Sequence, residues 1–130
     1  MHGGGTVLIT AEGPAEPSDA WRDYTQPARW PDWAPQIRRV ATDAEVVAPG
    51  VTGTVHGPLL LRVPFRILAV DHEQHRWTWR VGVGPVGVVL DHGVDAAGTG
   101  CRAWARVHAP GLLVAPYSPL ARLALRRLVA

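Results

Sequence analysis

From Ile37 to Ala109 the apolar residues recur with a period of two, broken by short runs rich in Gly, Pro and Asp. That pattern constrains the fold more than anything else in the chain, because breaks this short join strands that run antiparallel. Candidate strands are 38–47, 51–57, 61–70, 76–83, 86–95 and 101–109, separated by "APG", "GP", "DHEQH", "GP" and "DAAGTG". The clearest alternation sets Val86, Val88, Leu90, His92 and Val94 against Gly87, Val89, Asp91, Gly93 and Asp95, with the first set expected on the core face. In the last strand Cys101, Ala103, Ala105 and Val107 should face inward, since Arg102 and Arg106 on the other face resist burial.

The first third reads differently. Thr6 to Ala11 is a short β-branched and apolar strand. "EPSDAWRDY" then starts a helix with Pro17 at its first position and Ser18 and Asp19 in its first turn. Pro27 ends that helix, and a second short one over "PARW" is expected to stop at Pro31. At the other end Ser118-Pro119 is a helix start, with Ser118 as the cap. Leu120, Leu123, Ala124 and Leu128 follow at helical spacing, with Arg122 and Arg126 opposite. The order β, two short helices, six strands and a final amphipathic helix is that of one α+β domain over residues 1–130, with residues 1–5 a loose tail.

Composition narrows the function classes. All 13 basic residues are arginine, yet the net charge is only +2 and the arginines are scattered, so no nucleic-acid surface is expected. No run approaches the ~18 apolar residues of a membrane span, and no secretion signal opens the chain, so a cytoplasmic protein without stable membrane insertion is expected. The single cysteine, Cys101, reads as a buried thiol. Phosphate loops, dinucleotide fingerprints, nucleophile elbows and zincin motifs are all absent from the sequence. "DHEQH" places His72, Glu73 and His75 together, but between two strands it reads as a polar turn, and neither a metal nor a cofactor is expected.

"PSDAW…YTQPARWPDWAP" resembles the opening of the SRPBCC superfamily, in particular its START-like, polyketide cyclase/dehydrase-like branch. "APGVTGTVHGP", "FRILAVDHEQHRWTWRV", "GTGCRAWARVH" and "PLARLALRRLV" follow in that family's order. The resemblance implies a helix-grip fold, in which a curved antiparallel sheet of about seven strands wraps a C-terminal helix and leaves an apolar cavity. The chain departs from the pattern in two places. Gln26 stands where an acidic cap is usual, so Thr25 is expected to hold that turn, and the last helix is short for the family.

In such a cavity Trp77 and Trp79, sharing one strand face, are either core filling or ligand contacts offering indole N–H groups. Trp33, Phe65, Leu90, His92 and Tyr117 complete the expected lining, while Trp21 should anchor the first helix. His92 interrupts an apolar face and is either a hydrogen-bonded core residue or an acid–base group; His56, near a strand end, is the second catalytic candidate. Arg66 and Arg80 would meet a ligand carboxylate only if their strand faces turned inward. Binding of a small hydrophobic or aromatic molecule, of polyketide or lipid type, is the leading expectation. A cyclase or dehydratase is the alternative and needs two converging polar groups where the sequence supplies one. A homodimeric interaction domain is the third, so the chain is expected to be a monomer or a homodimer.

Overall fold

A computed structural model describes residues 5–82, 87–109 and 114–130. Seven strands, β1 (Val7–Gly13), β2 (Arg39–Ala41), β3 (Thr52–His56), β4 (Arg62–Asp71), β5 (Arg76–Val81), β6 (Val88–Ala97) and β7 (Gly100–His108), form one sheet in the order β1-β7-β6-β5-β4-β3-β2. Every pair is antiparallel, and the first strand closes against the last. Helices α1 (Pro17–Thr25) and α2 (Trp30–Trp33), joined by a 3₁₀ turn over Pro27–Arg29, follow β1, and α3 (Ser118–Leu128) ends the fold. The curled sheet grips these helices on its concave face, the helix-grip architecture.

The alternation behaves as its chemistry requires. Leu90, His92 and Val94 of β6 and Cys101, Ala103, Ala105 and Val107 of β7 are buried, while Arg102 and Arg106 are exposed. Val83 and Val86 lie outside the described residues.

Four local expectations are corrected. The strand expected over 38–47 is only three residues long, because the Thr42 hydroxyl donates to the Thr52 carbonyl and accepts from the Ala44 N–H, turning the chain. Val47 is nonetheless buried, held by its N–H to the Thr25 carbonyl. Pro31 opens α2 instead of ending a helix, since a ring without an N–H costs nothing in a first turn. The turn before it is braced by Arg29 Nε donating to Gln26 Oε1 at 2.7 Å; the Thr25 hydroxyl donates back along α1 to Trp21 O.

The fourth correction concerns α3. Ser118 lies within the helix and its hydroxyl donates to Val114 O, so it is not the cap. The buried stripe is Ala121, Ala124, Leu125 and Leu128, whereas Leu120 and Leu123 are exposed. The C-terminus is then tied to β1, where the Ala15 N–H meets Val129 O at 3.0 Å. Gly13 lets that carbonyl approach, because a Cβ there would collide with it.

Candidate functional site

The concave face is built around stacked rings. Strand pairing sets Trp77 beside His92 and Trp79 beside Leu90. Trp77 lies flat against His92, with centroids 3.9 Å apart and planes 10° apart. Its own other neighbour in the stack is Trp30 of the elbow, at 5.7 Å and 13°. Tyr24 meets both Trp77 and His92 edge-on, and Trp33 meets Tyr24 the same way. Phe65 and Trp79 complete the cluster against Trp30. Edge-to-face and offset contacts of this kind favour one rigid arrangement over a fluid one.

The elbow's tryptophans are fixed by their indole N–H groups. Trp30 Nε1 donates to Tyr24 O at 2.9 Å and Trp33 Nε1 to Asp23 O at 3.0 Å, so both clamp α2 onto the end of α1. Trp21 donates to His72 Nδ1 and stacks on His75, which engages the two histidines of "DHEQH" in the anchoring of α1. Trp104, on the convex face, donates to Asp95. Four of the six tryptophans therefore have an acceptor. The other two, Trp77 and Trp79, bury Nε1 with no described protein acceptor.

Both of these indoles line an apolar cavity with two chambers. The inner one, about 60 Å³, lies between Tyr24, Trp77, His92 and the small side chains of Ala105, Ala121 and Ala124. The outer one, about 500 Å³, is walled largely by valines of β3 to β6. Gln36, Ile37, Trp79, Leu90, Val107 and Tyr117 line both. The outer volume falls within the range of small-molecule sites. No Asp, Glu or Arg is among the described lining residues.

Of the expected lining, Trp33, Trp77, Trp79, Leu90, His92 and Tyr117 reach the cavity. Phe65 does not: it is buried beneath Trp30 and Trp79 as core. Gln36 was not anticipated, since a single glutamine after a proline elbow carries no periodic signal. Its Oε1 is buried without a partner, while its Nε2 stands 3.5 Å from the Tyr117 hydroxyl. Turning the amide over would exchange these atoms and still leave one buried polar atom without a described partner.

The acid–base candidates separate. His92 is 5% exposed, and its Nδ1 lies 3.2 Å from the Trp77 carbonyl. A carbonyl can only accept, so Nδ1 carries the proton and Nε2 keeps its lone pair. Burial drives its pKa down to about 3, against smaller upward pulls from the Trp77 carbonyl and Asp91. The ring is therefore neutral at ordinary pH and a feeble base. Asp91 points to the convex face, where it accepts from Thr78 and pairs with His108 Nε2 at 2.6 Å. His56 lines neither chamber; it stands in register between Arg39 and Arg62, and desolvation and those two cations lower its pKa. The Tyr24 hydroxyl, whose pKa burial raises well above the usual phenol value, donates to Trp104 O. His56 is thus no partner for His92.

Arg66 and Arg80 sit opposite each other in register, on the strand faces away from buried Phe65 and Ile67, so neither reaches the cavity. Among the described residues no three His, Cys, Asp or Glu side chains converge as metal ligands, and no helix is long and apolar enough to cross a membrane.

A curled antiparallel sheet gripping helices around an apolar cavity defines a helix-grip domain of the SRPBCC superfamily. Within it, this chain belongs to the family described as polyketide cyclase / dehydrase and lipid transport, which it matches over residues 6–130. Solved structures of similar fold include Ara h 8.0201, at a TM-score of 0.77 and 14% identity over 97% of this chain and 95% of that one. Ginseng major latex-like protein 151 from Panax ginseng superposes with a TM-score of 0.76 at 16% identity, over 98% and 96% of the two chains. A protein from Chromobacterium violaceum does so at 0.71 and 10%, over 95% and 94%. No curated protein sequence matches the chain.

Proposed function

We propose that this protein binds a small, uncharged, hydrophobic or aromatic molecule that carries at least one hydrogen-bond acceptor such as a carbonyl oxygen. The observation that carries this reading is that Trp77 and Trp79, two residues that line the cavity, each bury an indole N–H without a described acceptor. A buried donor without a partner costs roughly 1–3 kcal/mol, so a ligand acceptor would recover stability that the empty fold lacks. The absence of Asp, Glu and Arg from the described lining favours a neutral ligand, because a carboxylate there would be desolvated without a counter-ion. The family's description, which includes both polyketide cyclisation and lipid transport, is in keeping with such a ligand. A base with a pKa of about 3 captures protons poorly at neutral pH, which favours binding over acid–base chemistry at His92.

The test compares flat aromatic ketones with hydrocarbons of the same size, using quenching of tryptophan fluorescence and the shift in Tm. Ketones should bind more tightly than hydrocarbons, and Trp79→Phe should abolish most of that difference, about tenfold for one hydrogen bond of ~1.4 kcal/mol. If neither class shifts Tm, cavity binding is refuted.

A further inference from the structure

The most exposed large apolar side chains among the described residues are neighbours: Leu59 at 97% and Leu60 at 92%. They form the tip of the β3–β4 hairpin, closed below by Gly57 N–H to Leu61 O at 2.8 Å and Leu61 N–H to Pro58 O at 3.1 Å. Both leucines hold left-handed backbone, with φ of 58° and 65°. Gly or Asn would occupy such positions more easily and without displaying apolar surface. Strain and exposure thus coincide on two residues that pack against nothing in the fold.

Their surroundings say what could cover them. Gly57, Pro58 and Leu61 of the same hairpin line the outer chamber, as do Tyr117 and Leu120, both partly exposed. Behind the tip, Arg39 and Arg62 flank His56 across three strands, and Arg38 adjoins them. All three arginines are exposed, and none pairs with a carboxylate among the described residues. An apolar tip backed by unpaired cations complements a surface that is apolar within and anionic at its boundary. A bilayer with acidic headgroups is that surface. Two projecting leucines are too small a patch for a stable protein interface, which buries roughly 1,000 Å² or more. They do suit the boundary between headgroups and acyl chains, about 5–10 Å deep.

We propose that the Leu59–Leu60 tip and the Arg38, Arg39 and Arg62 collar dock the protein reversibly on anionic bilayers, with the cavity mouth turned toward the lipid. Docking itself does not depend on the cavity-binding reading; only the passage of a ligand between bilayer and cavity rests on it.

The test is flotation of the full chain with phosphatidylcholine vesicles, with and without about 30% phosphatidylglycerol. The wild type should float with the anionic vesicles only, and less so at high salt. Leu59→Asn/Leu60→Gly should weaken binding at least tenfold, with Tm unchanged or raised because both new residues tolerate left-handed backbone. Replacing Arg38, Arg39 and Arg62 by Gln should weaken it by about fivefold per charge. Equal flotation of wild type and tip variant, or no flotation of either, overturns the proposal. So does a wild-type dimer that the tip variant dissociates, which would give the leucines to a second copy. In lipid-free buffer the tip variant should bind aromatic ketones as the wild type does, which separates failure of docking from failure of cavity binding.

Discussion

His92 gives the sharpest energetic prediction. Its imidazole is buried against Trp77 and held neutral, with a pKa near 3 in the fold against about 6.5 for an unperturbed side chain. Between those values the unfolded chain binds a proton that the folded chain refuses. More protons on the unfolded state means that stability rises with pH, and so falls on acidification. The loss begins near pH 6.5 and grows by about 1.4 kcal/mol per pH unit, reaching about 2 kcal/mol at pH 5. In His92→Phe this term vanishes while a ring remains to stack on Trp77. The variant should start about 1–3 kcal/mol less stable at pH 7.5, since the Trp77 carbonyl loses its donor. Urea unfolding of both proteins from pH 7.5 to pH 5 measures the difference, in which contributions from His56, His75 and Asp91 cancel. The two stability curves should converge by about 2 kcal/mol. Parallel curves would show that His92 does not resist protonation and would sink the assignment of a neutral Nδ1–H tautomer.

Further expectations follow from single contacts. Trp79→Phe removes a buried donor with no acceptor among the described residues and should raise the stability of the unliganded protein by about 1 kcal/mol, seen as a higher urea midpoint. Gly93→Ala would drive a methyl group into the Trp104 indole, which lies over it between Arg76 and Arg106; a loss of about 1–3 kcal/mol and a red-shifted tryptophan emission should result. Leu60→Gly should stabilise the fold by about 1 kcal/mol by relieving left-handed backbone, measured as a rise in Tm, and a fall would place Leu60 in a contact that its exposure denies.

The parts of the fold that strict local rules govern are legible in the sequence. Alternation along 86–95 and 101–109 tells which side chains enter the core, because parity in a strand leaves only two choices and arginine decides between them. Phase on a helix is less determined. "LARLALRRL" holds leucines on more than one face, and the choice of Ala121 and Leu125 over Leu120 and Leu123 depends on β1 and α2, far away in sequence. Pro31 was ambiguous for a related reason: a ring that would end a helix reaching it is equally at home in the first turn of one that starts there, as it is in α2. In the stretch 42–47 only Thr42, Val46 and Val47 favour a strand, and the Thr42 hydroxyl diverts the chain through its contacts to Thr52 and Ala44.

The site was legible to the same depth and no further. Parity placed Trp77, Trp79 and His92 on the inner face, but it could not distinguish packing from recognition. What distinguishes them is whether each polar atom finds a partner, and those partners lie 6, 10, 51 and 9 residues away for Trp30, Trp33, Trp21 and Trp104. Phenylalanine at positions 77 and 79 would keep the apolar bulk of the cluster and relieve the fold of two orphan donors. Their combined cost, roughly 2–6 kcal/mol, is a sizeable fraction of the 5–15 kcal/mol that holds a domain folded. Indoles used only for bulk would be a poor solution beside four others that are each satisfied. On the binding reading proposed above, Trp77, stacked between His92 and Trp30, and Trp79, held edge-on by the same two rings, would offer an incoming acceptor donors whose ordering cost has already been met.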